Sequence, residues 1–259
     1  MPKTEKMPER RIDLTETVSR QTNKKLALVS HILIIDESGS MQSCVKATIE
    51  GINTQIATIK ESEATAKIEN LITLVVFNDQ HEFVVKGASP DDVETLTAEK
   101  YAPTGNTALY DTIVSVIKST EADITAGSKV LLSIFTDGMN NICKKYNASD
   151  AAREIERVQQ VGWTVTYVGA NQDVGDVASS LNIPLGNAMS YTSTNEGATR
   201  AFAAYARSST SYCTSISTDQ LDETRGVSQS FFSKEAKVKD VSSTTSLPDL
   251  LKSQRSNKT

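Results

Sequence analysis

The chain has 259 residues, of which 38% are hydrophobic and 23% charged, and a formal net charge of −5. That is an ordinary composition for a soluble protein, sized for one large domain with flanking tails or for two small domains. Residues 1–25 hold 7 Lys/Arg and 4 Asp/Glu, residues 218–259 hold 7 and 6, and the stretch between holds 13 against 22; so acidic a body argues against a grip on phosphate backbones, which needs clustered Lys and Arg, and agrees with a cation site.

Residues 1–24 are charged, contain proline and lack periodicity, and read as a flexible arm. Residues 25–35 make a first strand, apolar on both faces, which predicts a central position covered from both sides. Met41, Val45, Ile49, Ile52, Ile56 and Ile59 then recur at intervals of three and four, the one-face pattern of a helix over 41–60. A second buried strand covers 68–77. Asn78-Asp79-Gln80 is a turn, and 81–86 a third strand, so close behind that the pair forms an antiparallel hairpin. A loop over 88–92 leads to a short helical turn at 91–97. The next helix, 107–119, puts Leu109, Ile113, Val116 and Ile117 on one face. Residues 129–136 are a solid strand ending in Asp137-Gly138.

Ser149 reads as the N-cap of a helix that turns Ala152, Ile155, Val158 and Val161 inward and stops at Gly162. A strand at 163–170, a helix at 173–182, a strand at 187–192 and a last helix at 195–208, anchored by Phe202 and Tyr205, complete the pattern. From 216 onward Ser, Thr, Asp and Lys dominate, and 216–259 reads as a disordered tail in which Ser246 to Leu251 is solvated chain with scattered leucines or, as the alternative, a short binding motif. Strands alternating with helices predict an α/β, Rossmann-like, doubly wound architecture over 25–215. Its six-stranded sheet is mostly parallel with one antiparallel edge strand and has helices on both faces.

The chemistry gathers where strands end. The first strand empties into Asp36-Glu37-Ser38-Gly39-Ser40, an acid followed by two hydroxyls. Gly105-Asn106-Thr107 offers another hydroxyl, and Asp137 follows the 129–136 strand directly. Open α/β sheets bind ligands just outside the carboxyl ends of their strands. Two acids and three hydroxyls there, Asp36, Ser38, Ser40, Thr107 and Asp137, make a hard-oxygen set suited to Mg²⁺ or Mn²⁺, with Ca²⁺ a poorer fit. Hydroxyls are weak donors and leave such an ion electrophilic, so it still attracts an anionic oxygen from outside.

Asp36-x-Ser38-x-Ser40, Gly105-Asn106-Thr107 and Thr136-Asp137-Gly138 together resemble the metal ion-dependent adhesion site of von Willebrand factor type A domains. The resemblance covers roughly residues 26–215. Val168 to Asp173 and Ala201 to Tyr205 are similar to small bacterial and phage members. It implies that Ser38, Ser40 and Thr107 coordinate Mg²⁺ directly, that Asp36 and Asp137 act through water or by holding the hydroxyls, and that a partner protein's Asp or Glu completes the octahedron. Many members carry Gly-Gly-Thr where this chain has Gly105-Asn106-Thr107. Asn tolerates left-handed backbone angles, so the loop is expected to survive the exchange.

Other polar residues have plainer readings. The Asp36–Ser40 cluster taken alone could be a helix N-cap. Asp111, one helical turn after Thr107, either supports the site or is simply exposed. Asp79 is an ordinary turn residue, His31 a buried, hydrogen-bonded strand residue, and His81 an exposed one. Cys44 is a small buried residue, although a helix N-terminus can lower a thiol pKa, and Trp163 and Tyr167 are core aromatics. The odd trio Cys44, Cys143 and Cys213 argues against a disulfide framework. The N-terminus shows no apolar signal-peptide core and no run reaches a membrane span of ~18 residues, so a cytoplasmic protein is expected, virion-associated if phage-encoded.

The expected function is a metal-dependent protein-binding module, with no nucleic-acid or membrane partner. The alternative is an assembly adaptor in a virion or a chaperone-type complex. An Mg²⁺ phosphatase or hydrolase would want a second acid at position 38 and a phosphate-binding Lys, and no Gly-x-x-x-x-Gly-Lys loop exists, so an enzyme is not expected.

Overall fold

The computed structural model describes residues 26–138, 140–142, 144–170, 173–217 and 230–232. The arm at 1–24, Cys143 and the stretch from Ser246 to Leu251 fall outside them. Six strands form one sheet: β1 (Ala27–Asp36), β2 (Ile68–Phe77), β3 (His81–Ala88), β4 (Lys129–Thr136), β5 (Trp163–Ala170) and β6 (Ala188–Tyr191). Their order is β3-β2-β1-β4-β5-β6, parallel except for β3, which pairs antiparallel with β2 at the edge. The chain leaves β1 toward β2 on one side and reaches β4 on the other. The carboxyl ends of β1 and β4 therefore flank the topological switch point, where such sheets open a crevice.

Among the described residues five α-helices cover the sheet: α1 (Val45–Ala66), α2 (Leu109–Glu121), α3 (Ala148–Gln160), α4 (Val174–Ser180) and α5 (Asn195–Ser217). The alternation of β1 divides the core. Val29, Leu33 and Ile35 face α1 and α5, while Ile32 and Ile34 face α2, α3 and α4. Helix α1 starts later than its apolar spacing suggests, because Gly39–Cys44 is wound as a tighter 3₁₀ turn. Close packing of α1 on α5 depends on Gly51, where a methyl would lie 2.3 Å from the Phe202 ring. No helix among the described residues is long and apolar enough to cross a membrane.

The cap of α3 differs from expectation. Asn147, not Ser149, ends the preceding loop: its side chain accepts from Asp150 N at 3.1 Å, and Asp150 accepts from Asn147 N at 3.1 Å. This reciprocal pair satisfies two amides that the helix start leaves open. Asn147→Ala should lower stability by about 1 kcal/mol, read as a shift of the urea midpoint. Val161 is also misassigned as inward: the helix has ended at Gln160, and Val161 is 66% exposed.

Two further differences lie at the C-terminal side. Helix α5 runs to Ser217 rather than 208, because Tyr212, Cys213 and Ile216 continue the buried stripe of Phe202 and Tyr205. The reading of 216 onward as a tail also misses part of the core. Phe231 and Phe232 are buried against Tyr205 and Tyr212. Their amides donate to Asn187 Oδ1 (2.8 Å) and Gly186 O (3.0 Å).

Candidate functional site

Parallel register sets the floor of the site. Ile35 pairs with Phe135, so Asp36 lies beside Thr136. The Asp36 carboxylate is fully buried and held on both oxygens: Oδ1 accepts from Ser38 N (2.7 Å) and Oδ2 from Thr136 Oγ1 (2.5 Å). Burial outweighs these hydrogen bonds and pushes its pKa up from 3.8 to about 6. A carboxylate desolvated in this way is short of positive charge.

The hydroxyls stand above this floor. Ser38 Oγ and Ser40 Oγ are 3.1 Å apart, and Ser40 Oγ donates to Asp137 Oδ1 at 2.6 Å. A hydroxyl has one proton, so Ser40 can only accept in its contact with Ser38, whose own hydroxyl also interacts with the Asp36 carboxylate. Thr107 comes in from the other side. A methyl on Gly138 would lie 3.3 Å from Thr107 Oγ1 and 3.7 Å from Ser40 Oγ, so both hydroxyls border the same glycine. The structure thus brings Asp36, Ser38, Ser40, Thr107 and Asp137 to one crevice, with Asp36, Ser38 and Thr107 buried and Ser40 exposed at the rim.

Neighbouring loops lock this arrangement. Gly39 N donates to Gly105 O (3.1 Å), Thr104 N to Glu37 O (2.9 Å), and Tyr101 Oη to Asp36 O (2.7 Å). Thr107 N donates to Asn141 Oδ1 (2.9 Å), and Asn141 N returns a bond to Thr107 O (3.2 Å). Asn106 does not adopt a left-handed backbone. Gly105 does so instead, at φ +73°. The asparagine acts through its side chain, Nδ2 donating to Asp79 Oδ1 at 2.8 Å while its amide reaches Asp79 Oδ2 at 3.3 Å. Asp79, which sequence reasoning left without a role, therefore braces the Thr107 loop.

Asp111 is also a brace. It accepts from the amides of Lys144, Lys145 and Tyr146 and so holds the chain that follows Asp137. Ser193 was missed as well: its hydroxyl donates to Asp137 Oδ2 at 3.0 Å. Within a Ser/Thr-rich stretch, nothing in the sequence marks it out. His31 is a buried core residue bonded to Asn70 Oδ1 at 3.1 Å, and burial lowers its pKa to about 4. Burial raises the Cys44 thiol rather than activating it.

Among the described residues no three His, Cys, Asp or Glu side chains cluster as metal ligands. The donors at this crevice are instead two carboxylates and three hydroxyls, all hard oxygens, a set that fits Mg²⁺ or Mn²⁺ and would leave coordination positions open. Such a site can polarise or bind an external oxygen anion.

Fold and crevice together define an open-sheet α/β domain with a polar site at its switch point. No family model matches the sequence, and no curated protein matches it. Solved structures share the fold. The pilus adhesin SpaC from Lactobacillus rhamnosus GG aligns at TM-score 0.57 and 13% identity, over 74% of this chain and 31% of that one. A D319A mutant of the PilB minor pilin from Streptococcus sanguinis aligns at 0.54 and 12%, over 77% and 64%. A von Willebrand factor type A protein from Catenulispora acidiphila aligns at 0.49 and 16%, over 73% and 43%, too distant to bear on the fold. This chain spans less than two thirds of each of these proteins.

Proposed function

We propose that this chain is a metal-dependent protein-binding module of the von Willebrand factor A type, holding Mg²⁺ or Mn²⁺ at its crevice and capturing an Asp or Glu of a partner protein. The observation that carries this reading is the convergence of five oxygen donors from three distant loops beside a buried, charge-starved carboxylate. Ser38, Ser40 and Thr107 would ligate the ion, with Asp36 and Asp137 fixing the hydroxyls and balancing charge. A bound ion would act as a Lewis acid toward the incoming carboxylate. The chain's part is to aim lone pairs at it and keep one side open.

The same set favours binding over catalysis. Position 38 carries Ser where a phosphatase would want a second acid, and His31 is committed to Asn70 in the core. The fold relation to a pilus adhesin and a minor pilin is compatible with an adhesive or assembly role. A cytoplasmic setting belongs to the same proposal.

Titration calorimetry of the full chain should show uptake of about one Mn²⁺ per chain, and partner capture should be lost with a chelator and return with added Mg²⁺ or Mn²⁺. No heat of binding for either ion, together with capture indifferent to chelation, would remove the reading.

A further inference from the structure

Two serine chains end on the same carboxylate. Ser38 Oγ lies 3.1 Å from Ser40 Oγ, and Ser40 donates to Asp137 Oδ1. On the opposite side Ser193 donates to Asp137 Oδ2 at 3.0 Å, and Ser43 Oγ lies 3.0 Å from Ser193 Oγ. The Ser193 proton is on Asp137, so Ser193 Oγ can only accept from Ser43, whose single proton also has the Ser193 carbonyl within reach at 3.2 Å.

We propose that Ser193, supported by Ser43, is a positioning residue for Asp137 that sets the metal affinity of the crevice; the inference rests on the metal-binding reading above. Asp137 sits on a loop directly after β4, beside Gly138. With Ser40 on one oxygen and Ser193 on the other, the carboxylate plane is fixed. Ser40 then keeps its proton on Asp137 and a lone pair turned away from it. Without Ser193, Oδ2 loses this bond, the carboxylate can turn, and the Ser40 hydroxyl turns with it.

Ser193 is presented by a rigid junction. Asn195 Oδ1 accepts from Ala47 N at 3.1 Å, pinning the start of α5 to α1, and Thr194 Oγ1 caps α5 by accepting from Gly197 N at 3.1 Å. A supporting hydroxyl held by packed helices can orient a ligand group closely. Groups of this kind commonly change metal affinity by about 10–100-fold when removed.

The test is Mn²⁺ titration calorimetry on the full chain, with the Mn²⁺ EPR line shape as a coordination signature. Ser193→Ala should weaken binding about 10-fold and alter the line shape, with little change in the unfolding temperature of the metal-free protein. Ser193→Thr, which keeps the hydroxyl, should restore both. Ser43→Ala should have a smaller effect, and the Ser43→Ala/Ser193→Ala double variant should bind no worse than Ser193→Ala, because Ser43 works through Ser193. If Ser193→Ala binds like the wild type, or if Ser193→Thr is as weak as Ser193→Ala, the positioning role is wrong while the metal reading stands. A wild-type chain that takes up no Mn²⁺ overturns both.

Discussion

Asp36→Asn is expected to abolish Mn²⁺ uptake and partner capture while making the metal-free chain more stable at about pH 7.5. The pKa of Asp36 stands raised from 3.8 to about 6, chiefly by burial and despite bonds from Thr136 and Ser38. A raised folded-state pKa means that the folded chain holds this proton to higher pH than the unfolded one. The stabilising contribution is fully present below about pH 4 and is lost as pH rises through about 6. With about 1.4 kcal/mol per pKa unit, ionising Asp36 destabilises the metal-free fold by about 1–3 kcal/mol near neutrality. Asparagine avoids that penalty and fits the hydrogen bonds. Its amide can donate to Thr136 Oγ1, whose own proton can turn to Gly138 O, 3.0 Å away. Unfolding temperatures of the two metal-free chains should therefore coincide near about pH 4, separate between about 4 and 6, and stay apart above. Equal stability throughout, or Mn²⁺ uptake by Asp36→Asn, contradicts the assignment. A group retained at a cost to the empty fold is what a binding site requires, since the ion supplies the missing positive charge.

The sheet was legible because β1, β2, β4 and β5 are covered on both faces, so their apolar runs are continuous. The five candidate donors were legible because four of them lie within four residues of a strand end. What escaped notice has specific causes. Asn147 and Ser149 are both good caps, and only the Asp three residues after Asn147 distinguishes them, as half of a reciprocal pair. The turns of α5 beyond 208 did not read as helix because they are rich in Ser and Thr. Those hydroxyls instead bond back along the helix, Thr210 to Ala206 O, Thr214 to Thr210 O and Ser215 to Ser211 O, while Tyr212, Cys213 and Ile216 face the core. Asn106 was judged by its backbone tolerance, yet its amide side chain is what counts, through a contact with Asp79 that no local pattern announces.

Phe232→Ala should lower stability by about 3–5 kcal/mol, the usual range for truncating a fully buried aromatic. Phe232 is wholly buried, its ring edge-on to Phe231 at 5.0 Å and tilted against Tyr205 at 6.5 Å. Tyr205 in turn stands edge-on to Phe135 at 4.9 Å, and Phe135 stacks on Phe202 at 4.9 Å. Phe231 and Phe232 thus extend an aromatic cluster that reaches Phe135 of β4 through Tyr205 of α5. Against a total stability of about 5–15 kcal/mol for a typical domain, such a loss is large. A solvated tail would give the opposite result, since truncating an exposed side chain moves stability by no more than about 0.5 kcal/mol. Urea denaturation separates the two: an unchanged midpoint for Phe232→Ala would place the 230–232 segment outside the folded domain. The variant should also loosen α5 against β4 without touching any candidate ligand. Its Mn²⁺ affinity, measured well below the midpoint where the chain is still folded, should then fall less than that of Ser193→Ala, because Ser193 reaches Asp137 from the far end of α5, where Asn195 and Ala47 hold the junction independently.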